Sequence, residues 1–143
     1  MLVDLADVLY HISPLKNLPK ILKNGLVPYS KANNFSYDDR VYLFNKCDRS
    51  TVYNYAIYKT KEAKDTGFCV FKIFKNKLLN DPLFKNGKQK FYLDPAFSMD
   101  DNKTDQTAIF TRNNIPLRIM SKYYITVKLD DSGNIEAEET KML

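Results

Sequence analysis

Three features of this 143-residue sequence predict an α+β fold with helices early and strands late. Two capped helical segments precede Gly67. Apolar segments rich in β-branched and aromatic residues cluster after it, the clearest being Phe68-Cys69-Val70-Phe71-Lys72-Ile73-Phe74. A hairpin turn, Asp131-Ser132-Gly133-Asn134, lies near the C-terminus. No internal repeat is visible, and the length suits one domain over residues 1–143 with a core of its own.

The elements follow in order. Val8 to Ile12 is a short apolar strand. Ser13 then offers a side-chain cap and Pro14 tolerates a first helical position, so a helix is expected from there to Asn24. Leu18, Ile21 and Leu22 share one face of it. Gly25 is placed as the C-terminal stop, with Leu26 folding back on Ile21, and Pro28 confirms the end. Residues 28 to 40 show no period and form a long loop, a length that marks function or poor order. Val41 to Phe44 is a second strand. Asp48 or Ser50 caps a second helix with Val52, Tyr53, Ala56 and Ile57 as its apolar stripe, broken at Thr66-Gly67. After the Phe68 to Phe74 strand, residues 76 to 106 are mostly irregular, with a short strand at Phe91 to Leu93. Thr107 to Thr111 and Tyr123 to Leu129 are further strands. The latter alternates Tyr123, Ile125, Val127 and Leu129 with Tyr124, Thr126 and Lys128. Ile135 to Glu138 returns as a hairpin partner.

Composition removes several classes. The chain is 44% hydrophobic and 27% charged, which is globular. Its 22 basic against 17 acidic residues give a net charge of +5, a mild bias toward phosphates or nucleic acid. The basic residues are scattered, as in Lys59-Thr60-Lys61, and most read as solvated surface. Two cysteines and one histidine fall short of the four ligands of a structural zinc site, so no metal is expected. Cys47 and Cys69 suit a reducing compartment. No apolar stretch reaches membrane-spanning length and the acidic N-terminus is unlike a secretory signal, so a cytoplasmic protein without membrane contact is expected. The four glycines form no phosphate-cradling run, which argues against P-loop and Rossmann nucleotide folds.

The chemistry-bearing residues begin with the lone histidine. Tyr10-His11-Ile12-Ser13 closes the first strand and leads into Asn17-Leu18-Pro19-Lys20-Ile21-Leu22-Lys23-Asn24-Gly25-Leu26-Val27-Pro28. Tyr42 lies in the second strand, and Tyr53 follows in the next helix with ten residues between them. By itself His11 also reads as a hydrogen-bonded core residue, and a chain with ten tyrosines produces chance spacings. Together these residues resemble the first two signature motifs of the diphtheria-toxin-type ADP-ribosyltransferases, including DNA-modifying toxins and the related tRNA 2′-phosphotransferases. The resemblance covers roughly Leu9 to Val127. It implies two small antiparallel sheets, split and packed against each other with flanking helices, and NAD as co-substrate in the cleft between them.

That resemblance also implies roles. His11 and Ser13 would fix the adenosine side, a backbone group beside the histidine would hold the nicotinamide amide, and Tyr42 and Tyr53 would sandwich the nicotinamide. Aromatic faces suit a flat, electron-poor pyridinium. Arg40 could grip the pyrophosphate bidentately, although it also reads as a solvated loop end. The third family motif is a glutamate before an Ile-Pro segment. Thr107-Ala108-Ile109-Phe110-Thr111-Arg112-Asn113-Asn114-Ile115-Pro116 resembles its surroundings, but the glutamate itself is absent, leaving Asp105, Gln106 or Thr107. Loss of one such electrostatic contact costs on the order of 100- to 1,000-fold in rate. The implied activity is transfer of ADP-ribose from NAD to a protein or nucleic-acid acceptor carried in by loop 28 to 40, with Gln106 or Asp105 steadying the reacting ribose. The alternative is a weak or inactive member that binds NAD, ADP-ribose or a partner protein by occlusion. A weaker option is an RNA-directed phosphotransferase, in which Arg40, Arg112 and Arg118 would serve. Small lysine-, asparagine- and tyrosine-rich domains of this kind are associated with phage or mobile-element effectors.

Overall fold

The computed structural model describes residues 3–28, 40–85, 90–94 and 106–143. Among the described residues, seven strands form one antiparallel sheet in the order β4-β5-β2-β1-β3-β6-β7. They are β1 (Val8–Pro14), β2 (Val41–Phe44), β3 (Gly67–Phe74), β4 (Phe91–Leu93), β5 (Ala108–Thr111), β6 (Met120–Leu129) and β7 (Ile135–Met142). The helices are α1 (Leu18–Asn24), α2 (Arg49–Glu62) and α3 (Lys75–Asn80).

The strand carrying His11 is central, and its two edges differ. Against β3 it pairs from Val8↔Phe74 through Pro14↔Phe68. Against β2 the register holds at Tyr10↔Phe44 alone. The two strands diverge from that point, so β4-β5-β2 and β1-β3-β6-β7 act as two halves joined at a narrow seam. The expectation of two separate sheets is therefore corrected to one sheet with a weak joint, because the Tyr10–Phe44 pairing keeps the ladder continuous.

Strand alternation sorts the core into two layers. Leu9, Leu43, Cys69, Phe71, Ile73 and Tyr124 face one way, where Ile21 of α1, Leu78 of α3 and Phe84 cover them. Ile12, Phe68, Val70, Ile125 and Val127 face the other way, under Val52 and Ala56 of α2. Burial on both faces explains why β3 reads as an almost unbroken apolar run.

Local chemistry sets the element ends. Asp48 caps α2 by accepting from Thr51 N–H at 2.8 Å, as the sequence predicts. Helix α1 starts later than expected, at Leu18 with Pro19 in its first turn. Ser13 and Pro14 are held in the sheet by pairing with Cys69 and Phe68, and a short 3₁₀ turn over Leu15–Asn17 intervenes. Gly25 does end α1. Its φ of +74° suits glycine, and a Cβ there would lie 2.5 Å from Ile115 O. Leu26 then bridges to Ile115 rather than closing only on its own helix. Gly67 is the first residue of β3 and no helix breaker: α2 has already ended at Ala63, and Lys64 takes the left-handed turn at φ +57°. Helix α3 and the 3₁₀ turn Pro82–Phe84 occupy part of the stretch expected to be irregular. The hairpin turn forms as read, with Asp130 Oδ1 accepting from the N–H groups of Ser132 and Asn134.

Candidate functional site

His11 sits at the seam between the two halves. Its Nδ1 lies 2.8 Å from the carbonyl oxygen of Tyr42 on β2. A carbonyl only accepts, so Nδ1 carries the proton and Nε2 is left as an acceptor. The ring is 7% exposed, and burial pushes its pKa down to about 4 against the raising effect of the Tyr42 bond. The imidazole is therefore neutral at ordinary pH, with a fixed tautomer, and spans two strands that have ceased to pair. Ser13, two residues on, is buried on the same strand face, where its Oγ accepts from Asn17 Nδ2 at 3.4 Å.

Tyr42 projects from the opposite face of β2. Its ring is 6.0 Å from that of Phe110, its partner across β5. Arg40 Nη1 lies 3.4 Å from Tyr42 Oη and 3.5 Å from Asp94 Oδ2, and the guanidinium stacks 4.2 Å above Phe110. Arg40 and Tyr42 thus lie side by side.

Tyr53 is not brought to Tyr42. Its ring packs edge-on against Phe68 of β3 at 5.8 Å, and its hydroxyl donates to Glu138 Oε1 at 2.6 Å. Arg49 completes the group, reaching both Tyr53 Oη and Glu138 at 2.9 Å. Burial, together with the Glu138 bond, pushes the Tyr53 pKa up to about 12. Phe68 stands two strands from Tyr42, about 10 Å across the sheet. A nicotinamide sandwich needs rings about 7 to 8 Å apart, two van der Waals contacts. The pairing of Tyr42 with Tyr53 is corrected on this ground. Tyr53 instead ties α2 to the outer strand β7, and Tyr53→Phe should cost about 1 kcal/mol or less in urea denaturation.

The helix tyrosine on Tyr42's side is Tyr55. Its ring meets Phe44 of β2 edge-on at 5.4 Å. Burial first, then the Glu62 and Asp94 carboxylates and the Tyr42 phenol, raise its pKa. Residues 53 and 55 point about 200° apart around a helix, so counting along the chain does not tell which of them faces β2.

Gln106 also departs from its expected role. Its Oε1 accepts from Asp4 N–H at 2.8 Å, and its backbone takes φ +57°. The fully buried Asn45 sets this arrangement. Asn45 donates to the carbonyls of Asp4 and Gln106 at 3.0 and 2.9 Å and accepts from Ala6 N–H at 2.8 Å. Gln106 is part of the clasp that holds the N-terminal segment. Asp105 lies outside the described residues, as do residues 29–39 of the long loop. On β5 the positions facing Tyr42's side are Ala108 and Phe110, neither acidic. A carboxylate on that side is Asp94, 5% exposed at the end of β4, with its N–H donating to Ala108 O at 2.9 Å. No motif in the sequence pointed to it.

Among the described residues, no three His, Cys, Asp or Glu side chains gather as a metal site requires. No described helix is long and apolar enough to cross a membrane.

The arrangement defines an α+β protein on a seven-stranded antiparallel sheet, with its lone histidine at the seam. It is similar to the solved structure named EcPltA, with a TM-score of 0.56 at 9% identity, covering 95% of this chain and 85% of that one. At that identity the likeness is one of fold. No protein-family model matches the chain, and no curated protein matches it in sequence.

Proposed function

We propose that this chain binds NAD along the divergence of β1 and β2 and transfers its ADP-ribose to a macromolecular acceptor. The observation that carries this is the His11–Tyr42 bond. It makes Nε2 a neutral, fixed acceptor at a seam between half-sheets, which suits a ribose hydroxyl as donor. Tyr42 and Tyr55 would hold the nicotinamide ring, and Arg40 the pyrophosphate. In the reaction the bond between ribose C1′ and the pyridinium nitrogen breaks. Nicotinamide leaves neutral with the electron pair, an acceptor nucleophile bonds to C1′, and its proton passes to water.

A second reading is favoured by one specific observation. Gln106 is engaged with Asp4, and β5 offers only Ala108 and Phe110 toward Tyr42, so no β5 carboxylate faces the reacting ribose. The same seam could then bind NAD without turning it over.

Incubation with labelled NAD and a cell extract separates the two. Transfer is expected to place label on a macromolecule and release nicotinamide. Binding by calorimetry with neither product selects the second reading, and no binding at all removes both. Tyr42→Ala and Tyr55→Ala should each weaken NAD binding about tenfold, the scale of one aromatic–cation contact, while Tyr53→Phe leaves it unchanged. If Tyr42→Ala stays folded with full affinity, the stacking assignment fails.

A further inference from the structure

The Tyr42 face of the sheet continues outward in a row of rings that the reading above does not use. Tyr92, Phe110 and Tyr42 are direct cross-strand partners on β4, β5 and β2. Tyr92 stacks on Phe110 with centroids 5.3 Å apart and planes 25° from parallel. Two guanidiniums lie over the row. Arg40 covers Phe110, and Arg112 stands 5.0 Å above Tyr92 and 5.3 Å above Phe110. Arg40 is turned to Asp94. Arg112 is exposed, and Tyr92 is 41% exposed whereas Phe110 is 5%. The outer end of the row therefore presents an exposed tyrosine beside an exposed arginine, and its inner end is Tyr42.

We infer that the row from Tyr92 to Tyr42, with Arg112, is a docking surface for single-stranded nucleic acid. Aromatic rings interleaved with arginines are what such a strand requires: each base offers a π-face to stack on and each phosphate a charge for a guanidinium. The net charge of +5 complements a polyanion. A duplex keeps its base faces stacked inside and has nothing to offer Tyr92. As an acceptor site this rests on the transfer reading, because a strand lying along the row leads toward the ribose beside Tyr42. As a binding site it stands alone.

The test is fluorescence anisotropy of the whole chain with labelled single-stranded DNA, single-stranded RNA and duplex oligonucleotides, without NAD. Single strands of one or both kinds are expected to bind, and duplex more weakly. Tyr92→Ala should weaken binding about tenfold, the scale of one stacked base, while Tyr92→Phe retains it. Arg112→Ala should lower the slope of log affinity against log salt by about 0.7, one phosphate contact on a single strand. In Tyr92→Ala, nicotinamide release from NAD without oligonucleotide should match the unsubstituted chain. The inference is overturned by absent single-strand binding, by equal binding to duplex, or by Tyr92→Ala and Arg112→Ala leaving affinity and salt slope unchanged. Label from NAD appearing only on protein overturns the acceptor role. Failure of the transfer reading shows separately, as absent nicotinamide release by a chain that still binds the strand.

Discussion

Acidification from pH 6.5 to about 4 is expected to remove about 3 kcal/mol of folding stability through His11 alone. Burial lowers the imidazole from its ordinary 6.5 to about 4 in the folded chain. Between those values the unfolded chain binds a proton that the folded chain refuses. Stability therefore rises with pH across this window and is lost as pH falls through it. Holding the imidazole neutral down to about 4 instead of 6.5 corresponds to about 3 kcal/mol, since a tenfold change in proton affinity is worth about 1.4 kcal/mol. The assignment is clean because the chain has one histidine. The groups near it on the same layer include Cys69, whose thiol burial pushes up to about 12, so it stays neutral throughout. The lowered carboxylates, Asp48, Asp81 and Glu62, start from 3.8 or 4.5 and lose their contribution mainly below the His11 window. Urea midpoints measured against pH check this. His11→Asn keeps a donor for the Tyr42 carbonyl without the titration, so its stability should be flat from pH 6.5 to about 4.5. An unchanged acid slope in that variant would mean that the imidazole is solvated.

The same bond explains how much of the candidate site was legible in advance. His11 stood out because a lone histidine between apolar residues has few ways to be satisfied, and its strand was readable from Val8 to Ile12. Its partner, a backbone carbonyl, has no side-chain signature at all. Tyr42 and Arg40 were recognisable as a strand residue and its neighbour. Tyr55 was not, because in a helix with tyrosines at 53, 55 and 58 the face presented to β2 depends on how the helix rolls on the sheet, and packing decides that. Gln106 takes its place from Asn45 and Asp4, which lie far from it in sequence, so no local pattern reveals it. Asp94 went unseen for the same reason: burial beside Arg40 is a product of the β4-β5-β2 order.

The fold was legible wherever one residue's chemistry controls the outcome. The Asp48 cap, the Gly25 stop and the Asp130–Asn134 turn depend on local hydrogen bonds and φ, and all three formed. Ser13 shows the limit. As a cap it competes with seven residues of β1–β3 pairing, and a sheet partner such as Cys69 outweighs a single capping bond. Strand β7 forms where the turn predicts a hairpin partner over Ile135 to Glu138, but it runs on to Met142; that stretch is exposed throughout and carries no apolar pattern, so only pairing with β6 sets its length.

Gly67→Ala is the substitution expected to damage the fold most. The reason is the space around the residue, with no demand on φ. Gly67 opens β3 opposite Lys128 of β6. A Cβ there would collide with the carbonyl oxygen of Val127, and would also lie 2.7 Å from Leu15 Cδ1 and 3.1 Å from Lys128 Cα. Leu15 is a side chain and can turn away. The Val127 carbonyl and the Lys128 backbone belong to the β3–β6 ladder, so relief requires β3 and β6 to part at their paired end. Phe68 and Val127, both essentially buried, would lose packing in the same movement. Overpacking that a side-chain rotation can relieve costs about 1 to 3 kcal/mol; a backbone collision should reach about 3 kcal/mol or more. For a domain of this size that is a fall of about 10 °C in Tm, measurable by circular dichroism. Gly133→Ala is the contrast. Its Cβ would meet only the flexible Lys61 side chain, although its φ of +84° adds some strain, so its loss should be the smaller of the two. Equal stability of Gly67→Ala and the unsubstituted chain would mean that β3 does not approach β6 closely at this end, and the α2 layer over Phe68 would have to be redrawn.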